Sequence, residues 1–243
     1  MRSSLKDIQW KTFVIGDLFE VKRPTARKED DYCDGDIPFI ASGGVNNGVT
    51  KFCLPKNGES LDKENCLSVS PVDGSCYYQS YQFLGRGGAG SSIILLYPRN
   101  FTLDAYTALF ISKAITQTTA TKYSYGHMAS LDRIKKDKIY LPIDANGDVD
   151  FQFISSFMRQ IEQRILKPTI DKLCKQLIAN ELMGGGVNRF TLIGKHSILQ
   201  RYSLKFSVVS VLKRQTTKLE ILPTYHQHHS TMELMALSAM IAA

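Results

Sequence analysis

The spacing of apolar residues changes character past the midpoint of this chain, and that change constrains its fold more than any other feature. Before it, segments 13–22, 37–42, 42–54, 64–70, 74–84 and 91–98 are short, rich in aromatic and β-branched residues, and bounded by Gly, Asn or Pro. Runs of this kind are strands joined by tight turns, predicted here at Asn46-Asn47-Gly48, Lys56-Asn57-Gly58 and Asp73-Gly74. After it, Ile154, Met158, Ile161 and Ile165 recur at 4-3-4 spacing, the seam of an amphipathic helix. Pro168 interrupts the pattern before Ile170, Leu173, Leu177 and Ile178 continue it. That predicts either one kinked helix or two helices with Pro168 in the first turn of the second. The fold class is α+β: a β-rich domain followed by a long helix.

Between these regions, Leu103, Tyr106, Leu109, Phe110, Ile111 and Ile115 predict an amphipathic helix of about three turns, with Thr102 or Asn100 available near its start. The charged stretch 27–36 reads as a solvated loop, and the basic segment 130–143 leads to a strand that ends at Pro142, followed by a turn over 144–148. Gly184-Gly185-Gly186 is the clearest boundary. Beyond it, 201–208 alternates like a strand, and 232–243 can form a short helix. The expected organisation is therefore a domain over 1–148, a helical segment over 149–183 and a basic C-terminal segment over 184–243.

At 243 residues the chain can bury a core without disulfides. Its five cysteines (Cys33, Cys53, Cys66, Cys76 and Cys174) are odd in number and widely spaced, with no Cys-x-x-Cys and no His at finger spacing. They read as reduced thiols of a cytoplasmic protein. No apolar run reaches the roughly 18–20 residues of a membrane span, and the first residues lack the apolar stretch of a secretory signal, so no membrane partner is expected. The net charge is +7, but residues 1–183 carry 23 basic and 21 acidic residues, whereas 184–243 carry 7 and 2. The main body is nearly balanced, so charge alone argues weakly for nucleic acid.

Several local patterns compete for a chemical role. Gly85-Arg86-Gly87-Gly88-Ala89-Gly90 matches G-x-G-x-x-G, but a strand-like segment follows where dinucleotide binding needs a helix. A flexible glycine loop between strands is the better reading, with Arg86 placed to meet phosphate or guanine if DNA lies nearby. Asp7 with Glu20 and Lys22 is compatible with the D…E-x-K set of metal-dependent nucleases, a pattern loose enough to arise by chance. His226, His228 and His229 sit in a polar, turn-like stretch without a nearby carboxylate or Cys, which fits solvent exposure or adventitious metal better than a built site. Lys122-Tyr123-Ser124-Tyr125-Gly126-His127 combines a cation, two aromatics and an imidazole ahead of a basic run, a set able to position phosphates and read a base edge. Solvated lysines beside core tyrosines would give the same pattern. No methyl-transfer motif, phosphate loop or nucleophile elbow is present, and no cofactor is expected.

Taken in order, segments of 1–145 carry a more specific signal. Trp10-x-x-Phe13 leads into Ile15-Gly16-Asp17-Leu18-Phe19-Glu20-Val21, then Ile37-Pro38-Phe39-Ile40-Ala41-Ser42 and Asn46-Asn47-Gly48. Asn65-Cys66-Leu67-Ser68-Val69, Gly74 before Tyr77-Tyr78-Gln79, Lys122-Tyr123-Ser124-Tyr125-Gly126 and Ile139-Tyr140-Leu141-Pro142 complete the series. This succession resembles the target-recognition domains of type I restriction-modification specificity subunits and of the related BcgI-like specificity subunits. The helix over about 151–181 resembles the spacer helix that follows each such domain.

The resemblance implies a non-catalytic subunit that chooses a DNA sequence for a separate methyltransferase subunit, joined in type I systems by a restriction and translocation subunit. Each recognition domain reads one half of a split site in double-stranded DNA. With one domain and one helix where a full subunit has two of each, the chain looks like a half-subunit, which would pair as a homodimer through the 151–181 helix. Residues 187–243 do not restart the recognition pattern; Arg189-Phe190-Thr191-Leu192-Ile193-Gly194 is a faint echo at best. The residues expected to contact DNA are Asn46, Asn47, Gln79, Arg86, Lys122, Tyr125 and His127, because Asn and Gln suit adenine and Arg suits guanine. An autonomous nuclease and a stand-alone DNA binder are the competing readings.

Overall fold

The computed structural model describes residues 8–88, 90–169, 171–172 and 175. Asp7, Cys174, the triglycine boundary, the 189–194 echo, the 201–208 strand, the histidines of 226–229 and the 232–243 helix lie outside the described residues. The chain divides into two compact units, the first ending at Ser155 and the second beginning at Ser156.

The first unit holds three small sheets. Strand β1 (Trp10–Val14) pairs antiparallel with β9 (Lys138–Pro142), Trp10 facing Pro142 and Val14 facing Lys138. A four-stranded sheet orders β2 (Phe19–Lys22), β8 (Ile94–Pro98), β5 (Cys66–Val69) and β6 (Cys76–Gln79), all pairs antiparallel. The third orders β4 (Val49–Cys53), β3 (Asp34–Ile40) and β7 (Leu84–Gly85), with β3–β7 parallel. One helical turn, α1 (Ile15–Leu18), joins β1 to β2 at the Gly16-Asp17 position where a turn is predicted.

Burial follows the strand patterns. In β2, Phe19 and Val21 point inward and Glu20 and Lys22 outward, the alternation of a half-buried strand. In β5 every residue is buried, as in a strand covered on both faces. Phe39 and Leu84 pack with Tyr32, Ala41 and Cys53, while Ile40, Phe83, Ile93 and Leu95 pack with Cys66. Each such large side chain contributes about 1.5–3 kcal/mol on removal from water.

Helix α2 (Ala105–Thr119) packs on β6 and β9 and buries Ala108, Phe110, Ile111 and Ile115. It is longer than the three turns predicted, and its cap is Asp104 rather than Thr102 or Asn100: the carboxylate accepts from Thr107 N at 2.8 Å. A second departure is α3 (Leu131–Lys136), a short helix inside the basic segment that leads to β9, begun by Ser130. A third is the 27–36 stretch. Arg27 and Tyr32 are buried there, while Lys28, Asp30, Asp31, Cys33, Asp34 and Asp36 are exposed as expected, and β3 already begins at Asp34.

Helix α4 (Phe151–Ile161) begins in the first unit, where Phe151 stacks on Phe101 at 4.4 Å and Ile154 is fully buried. In the second unit the helix passes into a π turn at Glu162–Leu166, and helical backbone resumes over 167–169. Pro168 thus sits just after a widened turn, in which Lys167 N donates to Glu162 O. A proline ring clashes with the carbonyl four residues back, and a five-residue turn is one way for a helix to accommodate it.

Candidate nucleic-acid interface

Parallel pairing of β3 and β7 decides what stands together. Phe39 lies opposite Leu84 and Ile40 opposite Gly85, so the chain leaves both strands at the same end. The segments that follow, 41–48 on one side and 86–88 with 90–93 on the other, are therefore neighbours. The Ser42 hydroxyl donates to the Ser91 carbonyl, and Arg86 N donates to Ile40 O at 2.8 Å.

The 42–48 segment then runs along β6, the edge strand of the central sheet. Three consecutive residues, Asn46, Asn47 and Gly48, hold left-handed backbone (φ 51, 58 and 78), as the Asn-Asn-Gly signal predicts. The side chains lock the turn to the sheet: Asn47 Nδ2 donates to Tyr78 O and Gln79 Nε2 donates to Asn47 O, both at 3.1 Å. Ser75 Oγ donates to Gly43 O at 3.1 Å, tying in the 70–75 turn. This cover blunts an edge that would otherwise offer unpaired backbone groups.

The same turn reaches the 120–129 loop. Gly74 has φ +70, and a Cβ there would stand 2.5 Å from the Thr119 carbonyl carbon. Ala129 N donates to Pro71 O at 2.9 Å. Both ends of 120–129 are thus anchored beside the turn, and the described residues of 86–88 and 90–93, with 42–48, 70–75 and 120–129, adjoin one another in turn as a rim.

Five of the seven residues singled out from the sequence are exposed on this rim: Asn46, Arg86, Lys122, Tyr125 and His127. Arg86 makes no side-chain hydrogen bond or ion pair among the described residues. Lys122 Nζ meets Asp137 Oδ1 at 2.8 Å while its side chain stays 46% exposed, leaving donors for a further contact. Buried Tyr123 donates its hydroxyl to Asp137 Oδ2 at 2.7 Å, and burial together with that carboxylate pushes its pKa well above the ordinary phenol value. The hydroxyl therefore stays protonated and fixes the loop's root. Tyr125 is 77% exposed, and the His127 ring lies parallel to that of Tyr123.

Asn47 and Gln79 are placed differently. Gln79 is buried, and its amide also donates to Ser68 Oγ at 2.8 Å. Asn47 Oδ1 is buried without a partner among the described residues. Both brace the turn that carries Asn46.

A buried ionic cluster beneath the rim escapes sequence reasoning. Arg27 Nε donates to Glu59 Oε1 at 2.7 Å, Nη1 to Asp62 Oδ2 at 2.6 Å and to Gly85 O at 3.2 Å, and Nη2 to Ser60 O at 2.8 Å. Tyr32 donates its hydroxyl to Glu59 Oε1 at 2.7 Å, and Gly85 N donates to Asp62 Oδ2 at 2.8 Å. Burial opposes charge on Arg27, yet the hydrogen bonds and fields of Glu59 and Asp62 outweigh it and raise the pKa. Burial also opposes the Glu59 carboxylate, but donors from Arg27, Tyr32 and the Lys56 amide hold its pKa below the usual value. Nothing local in the sequence marks Arg27 as buried, because its partners lie 32 and 35 residues away.

Glu20 and Lys22 pair with each other at 3.0 Å on the exposed face of β2. Among the described residues no three His, Cys, Asp or Glu side chains gather as a metal site. No described helix is long and apolar enough to cross a membrane.

The exposed residues thus stand on adjoining loops of a β-rich domain that a helix follows. The family model of the type I restriction modification DNA specificity domain matches residues 7–168, so the chain belongs to that family. It is 30% identical over 172 residues to the Type II restriction enzyme BgcI specificity subunit S.BcgI of Heyndrickxia coagulans, covering 70% of this chain and 48% of that protein. The chain thus spans about half the length of the curated relative it matches. Similar solved structures include the S subunit of a type I restriction-modification system from M. genitalium, with TM-score 0.44 and 16% identity over 70% of this chain and 44% of that one. The HsdS subunit from Thermoanaerobacter tengcongensis gives TM-score 0.43 and 17% identity over 65% and 38%.

Proposed function

We propose that this chain is a non-catalytic DNA sequence-specificity subunit of a restriction-modification system, reading one half of a split target in double-stranded DNA. The observation that carries the reading is the rim, on which Asn46, Arg86, Lys122, Tyr125 and His127 are exposed together. Arg86 suits guanine and Asn46 adenine, while Lys122 and Tyr125 suit phosphate and sugar. Asn47 and Gln79 serve by holding the turn that presents Asn46. Lys122 on the rim, and Arg133, Lys135 and Lys136 on the α3 helix that follows it, offer positive charge to the DNA backbone.

In this reading 1–148 is the recognition domain, 149–183 the spacer and 184–243 a basic appendage, acting in the cytoplasm without a cofactor of its own. The partners are a methyltransferase subunit and, in a type I assembly, a restriction and translocation subunit. A second copy, joined through the 151–181 helix, supplies the other half-site. Ile154, Met158 and Ile161 are already buried within one chain, so that joint uses other faces or later turns of the helix.

The test is binding of the full chain to duplex DNA across a salt series. Log affinity should fall linearly with log salt, with a slope of about −0.9 per phosphate neutralised, and Arg86→Ala should weaken the preferred sequence more than random duplex. Absence of duplex binding defeats the reading. Mg²⁺-dependent cleavage by the chain alone would install the nuclease instead. Binding with no methyltransferase capture would leave a stand-alone DNA binder.

A further inference from the structure

We infer that Arg27 and Asp62 are positioning residues for base discrimination, because they fix the backbone from which Arg86 is presented. The inference rests on the reading of Arg86 as a DNA contact. Gly85, Gly87, Gly88 and Gly90 surround Arg86, and a stretch so rich in glycine has wide backbone freedom of its own. The structure removes that freedom at Gly85 and Gly87, the two residues that flank Arg86. Before it, Asp62 Oδ2 accepts from Gly85 N at 2.8 Å while Arg27 Nη1 donates to Gly85 O at 3.2 Å. The same Asp62 oxygen meets Arg27 Nη1 at 2.6 Å, so one ion pair grips both polar groups of the Gly85 backbone.

After Arg86, Gly87 bridges Ala26, and a Cβ at Gly87 would stand 1.9 Å from Thr25 O. The strap 24–27 therefore crosses directly against the glycine loop, and Arg27 anchors its end. Arg86 itself donates from N to Ile40 O at 2.8 Å and accepts at O from Ile93 N at 3.1 Å. A rigid backbone carrying an exposed side chain without partners among the described residues is what geometry-sensitive readout needs, because a site looser by about 1 Å forfeits most of its discrimination. Bidentate pairing with guanine is the contact most dependent on such placement.

The experiment selects duplexes from a pool with a randomised central region, using the full chain as wild type, Arg86→Ala, Asp62→Asn and the double variant. Arg86→Ala should flatten one position of the enriched motif, erasing a preference of about tenfold to a hundredfold. Asp62→Asn, which removes the charge that holds Arg27 and leaves one neutral amide oxygen to accept from both Gly85 N and Arg27 Nη1, should reduce preference at that same position by about fivefold or more and leave the other positions within about twofold. The double variant should match Arg86→Ala alone, since a residue acting through Arg86 has nothing left to position. A thermal melt accompanies each variant. If Asp62→Asn does not fold, Arg27→Lys takes its place, keeping the charge but losing the fork that reaches four acceptors.

Equal weakening at every position, additive losses at the Arg86 position, or an intact Arg86 position in a folded Asp62→Asn or Arg27→Lys chain each overturns the positioning role and leaves the reading of Arg86 standing. An Arg86→Ala motif identical to wild type, or a wild-type chain that enriches no motif, overturns both.

Discussion

Replacing Arg27 by Met keeps the length of the side-chain stem and removes the charge, so it isolates what the ionic cluster contributes. Four donations disappear, two of them to carboxylates whose side chains are only 16% and 13% exposed. Breaking a buried pair from one side costs about 3–5 kcal/mol, because the surviving charge is left uncompensated. Here the survivors are not bare: Glu59 keeps the Tyr32 hydroxyl and the Lys56 amide, and Asp62 keeps Gly85 N. That places the loss near about 3 kcal/mol at pH 7, a fall in melting temperature on the order of 10 °C.

The loss must also depend on pH in a fixed direction. In the wild type the Glu59 pKa is lowered, so its contribution is complete above the unfolded value of 4.5 and fades as pH falls through the lowered one. Without Arg27, burial works against the Glu59 carboxylate with one of its main opposing donors gone, and favours its protonated form. The gap between variant and wild type should therefore narrow as pH drops from 7 towards 4. Urea unfolding at pH 7, 5.5 and 4 measures it. A gap under about 1 kcal/mol at pH 7, or one that stays constant down to pH 4, refutes the reasoning.

Asp137→Ala orphans the buried Tyr123 hydroxyl and frees Lys122; it should cost about 1–3 kcal/mol in urea unfolding, most of it from the phenol, since the half-exposed ion pair is worth little. Tyr32, pushed up to about 12 by burial and then by Glu59, contributes stability that is complete below pH 10 and lost as pH rises from 10 to 12. Ultraviolet titration should show its ionisation coinciding with alkaline unfolding. Brief thiol labelling at pH 8 with peptide mapping should find exposed Cys33 and spare Cys53, Cys66 and Cys76; burial drives the Cys66 thiol to about 12.

The strands were legible because their signals are local. The alternation of Phe19, Glu20, Val21 and Lys22 and the left-handed preference of Asn46-Asn47-Gly48 each specify a conformation within a few residues. The cap at Asp104 was equally available, since a carboxylate just ahead of an apolar-periodic run is a helix start. Burial of Arg27 was not, because it depends on carboxylates more than thirty residues away. Gln79 shows the same limit from the other side. Its residue type suits base readout, but a buried position on the edge strand commits its amide to Asn47 and Ser68. Arg86 could be singled out from its glycine-rich context, whereas its place beside Ile40, at the start of the segment that carries Asn46, follows from the parallel pairing of β3 and β7. Spacing along the chain does not contain that pairing.

The central claim is that the rim chooses the DNA sequence. Co-expression of this chain with the methyltransferase subunit of its own system, followed by base-resolved mapping of modified positions in host DNA, tests it most directly. The account predicts a split motif that changes in one half when Arg86 or Asn46 is replaced by Ala. A split motif unchanged by either substitution, or no sequence-dependent modification despite stable co-purification, would contradict it.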